Sequence, residues 1–471
     1  LIFRLINQSQ IINTFPLDLT NDWSSYISQL FFLDVCGFHN FCSYWYNGFI
    51  SFQLVPPGWF FFTYPLVLIF NNYQIATYLS LLIIFTLGFF TIYKFSKINK
   101  INKKKSILFF LLLFANAAAI GNYVKLGRML EFFAFLLFIS CAFIILYYKD
   151  KKIDKKFMFI IPVYSLLLIS HQTFAVITSL LWISLFLVKN SKERLMIIGS
   201  FLISLIIDLF WIVPYIKNFF KITGSELPVG INLLSFNSSY LLENIFTIII
   251  PSTFLLIFFI YYKKFGIKKR EILFYLPIII ISILLLTRIT AFIPIFQNIY
   301  ADVYMGFILF FILFIFFKNF KINKVLFIAI LLISIISVSI NIFHTPYFVQ
   351  YTQLEKDTLE VLKQVDTSFF MLGTEESIKT SYVKAYYSYA PIYLNISTPS
   401  GWYILATPEY YDKLRKITKS VDESNCNILR EGSIELNNDY LVGYGNKCEF
   451  LAGCKLNEIK KFDDVCLYKI A

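Results

Sequence analysis

Long apolar runs recur through the middle of the chain, each parted from the next by a short polar stretch. Crossing about 30 Å of hydrocarbon takes roughly 20 mainly apolar residues in a helix. Runs of that kind fall near 73–93, 106–120, 127–148, 157–170, 172–188, 195–213, 242–262, 272–287, 301–317 and 325–343. The pattern predicts a mainly α protein, a polytopic transmembrane helix bundle of about ten spans over 73–343, with 106–120 and 157–170 short for a full crossing. Two hydrophilic segments flank it, a first loop at 1–72 and a tail at 344–471. In the tail, Leu354, Val361, Leu362 and Val365 recur at helical spacing, and Pro408 is placed to open a second helix running to Val421. Short apolar runs at 368–372, 391–396, 439–444 and 465–470 predict strands. The tail is therefore expected to be a small α/β domain.

Composition agrees with a membrane protein: 58% of residues are hydrophobic, 20% aromatic and 15% charged. That much apolar side chain exceeds what soluble cores hide. The net charge of +13 suggests a nucleic-acid partner only until the cations are located. They sit between the apolar runs rather than on one folded face, which excludes a nucleic-acid binder. Alternate loops, around 94–105, 149–156, 189–194, 263–270 and 318–324, hold 22 Lys and Arg. The intervening loops hold 5, namely Lys125, Arg128, Lys217, Lys221 and Arg288. Cytoplasmic loops carry the cationic excess. The alternation thus predicts a multi-pass plasma-membrane protein whose residues 1–72 and 344–471 are both extracytoplasmic. Leu1 to Ile6 reads as the remnant of an upstream span.

Cysteine placement supports that topology. Cys36 and Cys42 lie in the first segment, Cys426, Cys448, Cys454 and Cys466 in the tail, and Cys141 within a span. Even numbers in each outer segment are disulfide candidates in an oxidising compartment, with free thiols as the alternative and the tail connectivity open. Their spacing does not match a zinc motif. Three Asn-x-Ser triplets, at Asn7, Asn237 and Asn395, also fall on the predicted outer side.

The first segment carries the densest chemistry. Asp18 and Asp22 precede an amphipathic stretch; Trp45-Tyr46-Asn47-Gly48, Val55-Pro56-Pro57-Gly58 and Thr63-Tyr64-Pro65-Leu66 follow. Further on come Gly127-Arg128-Met129-Leu130-Glu131 opening a span, Ser170-His171-Gln172 between two spans, Phe210-Trp211-Ile212-Val213-Pro214 closing another, and Ser400-Gly401-Trp402-Tyr403 in the tail. In order and topological side these stretches resemble the GT-C superfamily of polytopic glycosyltransferases. The likeness is to the prokaryotic members with an extracytoplasmic C-terminal domain.

The resemblance implies transfer of a sugar from a polyprenyl-phosphate donor to a glycan, lipid or protein acceptor at the outer membrane face. Asp22 matches the family's acidic position, with Asp18 next and Asp34 third. Such a carboxylate takes the acceptor proton or holds a divalent metal, Mg or Mn, whose requirement the sequence leaves open. Arg128, Lys125 and Arg288, scarce cations near outer helix ends, are candidates for the donor phosphate. Lipid-headgroup binding is the plainer role for them. Glu131, three residues from Arg128, is placed to pair with it. In the family the histidine matching His171 faces the cavity. Asp208, six residues before Pro214 and so roughly 9 Å below the helix end, is expected to line a polar cavity. Trp402 is a candidate to stack on a sugar. Many members carry a further arginine near residue 303, where this chain has Ala301-Asp302-Val303-Tyr304-Met305. An inactive scaffold or export factor, or a lipid or glycan transporter, is the alternative function.

Overall fold

Where the apolar runs are long, the backbone satisfies itself as helices, because hydrocarbon offers no partner for an open N–H or C=O. The computed structural model describes residues 22–114, 127–222, 229–234, 241–266, 268–343, 352–372, 380–402 and 405–470. Asp18, Lys125, the Leu1–Ile6 remnant and the triplets at Asn7 and Asn237 lie outside them. In chain order the first segment holds α1 (Trp23–Val35), the two-residue strands β1 (Phe41–Cys42) and β2 (Phe49–Ile50), and α2 (Gly58–Phe70). The bundle continues with α3 (Tyr73–Ile98), α4 (Lys103–Phe114), α5 (Met129–Lys149), α6 (Ile160–Leu168), α7 (Gln172–Val188), α8 (Ser191–Ile207) and α9 (Leu209–Ile222). It ends with α10 (Leu241–Phe265), α11 (Lys269–Leu286), α12 (Ala301–Asn319) and α13 (Lys324–Phe343).

Four helices among the described residues are long and apolar enough to cross a membrane: Tyr73–Ile98, Met129–Lys149, Asn244–Phe265 and Ala301–Asn319. The run at 195–213 is not one straight span, since α8 and α9 meet at a bend of 69°. The run at 157–170 is broken as well, into a 3-10 turn (Lys155–Phe159) and the nine-residue α6. At 1.5 Å per residue α6 covers only about 14 Å. The aromatic stretch around Thr63-Tyr64-Pro65, which reads as loop by composition, forms α2 with Pro65 inside it. Side-chain caps close several helix starts: Asn72 accepts from Ile75 N–H, and Asn190 with Glu193 forms a capping box. At the lysine-rich end, Lys149 pairs with Glu271 at 2.6 Å, and Lys105 donates to the terminal carbonyls Phe317 O and Phe320 O.

The tail comprises α14 (Gln353–Leu362), β3 (Phe369–Leu372), α15 (Thr380–Tyr393), α16 (Pro408–Asp422), α17 (Cys426–Glu435), β4 (Tyr440–Tyr444), α18 (Asn446–Gly453), β5 (Asn457–Lys461) and β6 (Val465–Lys469). Its sheet has the order β3-β4-β6-β5. β3 and β4 are parallel, Phe369 opposite Tyr440, while β6 is antiparallel to both β4 and β5. Disulfides join Cys426 to Cys454 and Cys448 to Cys466, and Cys36 to Cys42 in the first segment; Cys141 is a buried free thiol. Of the strand expected at 391–396, residues 391–393 are the end of α15 and 394–396 are turn and coil leading to the bridges at Ser397 and Thr398. Burial of Tyr386, Tyr387, Tyr389 and Ala390 earlier in α15 carries the helix into that run, against the β preference of Ile392 and Tyr393.

First segment and tail are packed into each other. Ser28 Oγ donates to Ser388 O at 2.6 Å and Trp45 Nε1 to Tyr387 O at 2.8 Å. Asn47 Nδ2 donates to Leu436 O, and Trp45 and Thr398 form a bridge in which Thr398 N–H donates to Tyr44 O at 2.9 Å. Both hydrophilic segments therefore meet on one face of the bundle, the face where α5, α7 and α12 begin.

Candidate functional site

Four helix starts converge beneath that seam. Asp22 is the N-cap residue of α1, Arg128 of α5, His171 of α7 and Tyr300 of α12. The approach is close. Gly127 has φ +75, a conformation that glycine adopts without cost, and a Cβ there would lie 2.6 Å from Trp23 N. Gly58 N–H donates to Ile169 O at 2.8 Å, and a Cβ at Gly58 would run into Ser170. The Gly-rich motifs thus seat the first segment on the turns that carry Arg128 and His171.

Around Arg128 the polar side chains form one network. Its Nη1 donates to Asp302 Oδ2 at 2.9 Å and lies 3.5 Å from Glu131 Oε2. The guanidinium carbon is 5.6 Å from the centre of the Tyr300 ring. His171 Nε2 lies 3.5 Å from Glu131 Oε1, and its Nδ1 is 2.9 Å from Thr173 Oγ1. Glu131 and Asp302 keep only 8% of their side-chain surface each, and Arg128 keeps 26%. Asp22 also contributes to the negative field at Arg128. On the tail side, Trp402 donates its indole N–H to Asp22 Oδ1 at 3.1 Å. Behind it, Tyr46 packs edge-on against Tyr410 and Tyr411, and burial pushes its phenol well above the usual range.

Five of the expected residues therefore come together: Asp22, Arg128, Glu131, His171 and Trp402. Trp402 meets the carboxylate with its N–H. Asp302 and Tyr300 complete the network and were not anticipated. The signal for Asp302 was an acid in the first turn of an apolar helix, which is costly unless paired. Its partner was not legible, since Arg128 is 174 positions away.

The other candidates stand apart in their contacts. Arg288, at a left-handed turn after α11, donates to Thr247 Oγ1 at 2.6 Å and to Asn244 O at 3.1 Å. Asp208 accepts from Ser165 Oγ at 2.6 Å and sits at the break between α8 and α9, so the depth deduced for an unbroken helix does not apply. Asp34 accepts hydrogen bonds from Tyr64 and Tyr73. Among the described residues no three His, Cys, Asp or Glu side chains gather as a ligand set. Glu131 and Asp302 are engaged by Arg128. Asp18, the second acidic candidate of the first segment, lies outside the described residues.

No protein-family model matches the chain, and no curated protein matches it. Solved structures do. An oligosaccharyltransferase of Archaeoglobus fulgidus, in complex with Zn and sulfate, matches at a TM-score of 0.56 with 13% identity, over 94% of this chain and 67% of its own. The oligosaccharyltransferase AglB of Archaeoglobus fulgidus, in complex with an inhibitory peptide and a dolichol-phosphate, matches at 0.58 with 11% identity, over 94% and 68%. Apolar helices, small sheets and an overlap spanning 94% of this chain agree: it has the fold of these oligosaccharyltransferases, the GT-C fold.

Proposed function

We propose that the chain transfers a sugar or glycan from a polyprenyl-phosphate donor to an acceptor at the extracytoplasmic face, with Asp22 as the general base. The observation that carries this reading is the Asp22–Trp402 hydrogen bond across the seam between bundle and tail. It holds a carboxylate at the mouth of the bundle in a fixed orientation. An acceptor O–H or N–H is a weak nucleophile, and a positioned carboxylate that takes its proton raises the rate. As the bond from the acceptor atom to the anomeric carbon forms, the bond from that carbon to the donor phosphate breaks. The lipid phosphate departs with the electron pair. Charge developing there calls for fixed cations. Arg128 already answers two carboxylates, which makes it an organiser of the helix starts. Arg288, anchored on α10, is the assignment for the phosphate.

The test is transfer of label from a polyprenyl-phosphate-linked sugar by the purified protein in vesicles, wild type beside Trp402→Phe. Phenylalanine keeps an aromatic ring and deletes the N–H. Without that hold the carboxylate loses its orientation, and a misplacement of about 1 Å costs up to roughly a hundredfold in rate. A hydrogen bond to the ionised form lowers a carboxyl pKa. The variant's carboxyl pKa is therefore higher, and the acid limb of its pH–rate profile moves to higher pH. An unmoved limb removes Trp402 from the reaction. Absence of transfer from every polyprenyl-linked donor tried makes the protein a scaffold or transporter.

A further inference from the structure

We infer that α9 is an interfacial helix, lying along the membrane surface on the site-bearing face and resting its outward edge on bilayer lipid. The bend of 69° from α8 occurs at the single residue Asp208, buried and tied to α6 through Ser165. The backbone N–H groups of Trp211 and Ile212 both donate to Asp208 O, so the helix restarts at once in its new direction. Trp211 then reaches the first segment, donating its indole N–H to Phe52 O at 3.0 Å. That bond ties the start of α9 to the first segment.

The sides of α9 differ as its surroundings would require. Trp211, Tyr215 and Phe219, four residues apart, form a ladder of rings 4.9 and 5.3 Å apart on the side anchored to Phe52. Leu209, Val213 and Ile216, at i, i+4 and i+7, make an apolar stripe on the other side and are 41–55% exposed. This stripe continues the exposed edge of α8, where Leu202, Ile203, Ile206 and Ile207 project from a bundle that lipid must cover. Lys217 and Lys221, exposed and one turn apart, flank the stripe toward the headgroups. An apolar edge with a cationic flank fits a lipid interface carrying anionic headgroups. The inference is independent of the catalytic reading.

Depth measured by spin labels tests it. Single cysteines replace Leu209, Val213 and Ile216 in the full chain, reconstituted in phosphatidylcholine–phosphatidylglycerol nanodiscs. Accessibility to oxygen and to an aqueous nickel chelate gives the depth of each label. From Leu209 to Ile216 a helix continuing α8 along the normal changes depth by about 10 Å, against about 4 Å after the observed bend. Three shallow labels spread over no more than about 4 Å, with a label at Lys217 open to the chelate, are expected. A progressive change of about 10 Å, or all four positions open to the chelate and closed to oxygen, overturns the proposal. Leu202→Cys and Ile206→Cys supply the slope of a spanning helix in the same sample.

Discussion

Asp22→Asn is expected to lower the rate of glycosyl transfer by about 10²–10⁴-fold, the usual contribution of a positioned general base. Asparagine retains a carbonyl oxygen that accepts the Trp402 N–H, so the seam keeps its geometry while losing the group that takes the proton. The thermal midpoint should therefore be unchanged, which separates chemistry from folding. Asp22→Glu restores the base on a longer arm and should recover part of the rate. Transfer by Asp22→Asn at the wild-type rate would move the base elsewhere, with Asp18 the next carboxylate to try.

Arg128→Ala should be the most destabilising single change in the bundle. Asp302 and Glu131 are nearly buried, at 2.9 and 3.5 Å from the same guanidinium nitrogen. Removing the cation leaves two carboxylates facing each other in a poorly hydrated site. Breaking a buried pair from one side costs about 3–5 kcal/mol. Thermal unfolding of the detergent-solubilised protein, followed by tryptophan emission, would show it. Adding Glu131→Gln and Asp302→Asn to Arg128→Ala removes the stranded charges and should return much of the loss. If Arg128→Ala alone unfolds at the wild-type midpoint, the network is not what joins α5 to α12. A drop in activity without destabilisation would instead favour a direct phosphate role for Arg128.

How far the sequence leads depends on whether a signal is local. The alternation of Lys94–Lys105, Lys149–Lys156 and Lys263–Arg270 with apolar runs is a local signal, because cation placement follows the membrane. The tail strands at 369–372, 440–444 and 465–469 are equally local. Three features were not. Gly58–Phe70 looks like a Gly/Pro and aromatic loop, yet it is a helix packed under the seam. The 195–213 run reads as one span in which Asp208 stands out as ionisable but not as a break; its partner Ser165 is 43 positions earlier. The run at 391–396 favours a strand by type, but its first three residues end α15, a helix packed against α1.

The site shows the same division. Asp22, Arg128, Glu131, His171 and Trp402 were each visible as polar or aromatic residues at predicted outer boundaries. Their assembly was not, since the Asp22–Trp402 bond joins positions 380 apart. The departure near residue 303 changes meaning once seen in place. Where many members of the superfamily have an arginine, Asp302 pairs with Arg128. Arg128 is engaged by two carboxylates, and Arg288 is the cation we propose for the donor phosphate.

The most direct measurement is an experimental structure of the protein with a polyprenyl phosphate bound. The phosphate should lie at the seam, with Asp22 on one side and Arg288 reaching it from the loop before α12. A phosphate bound at the lysine-rich end of the bundle, or at the seam with Asp22 turned away from it, would contradict the assignment of Asp22 as the base.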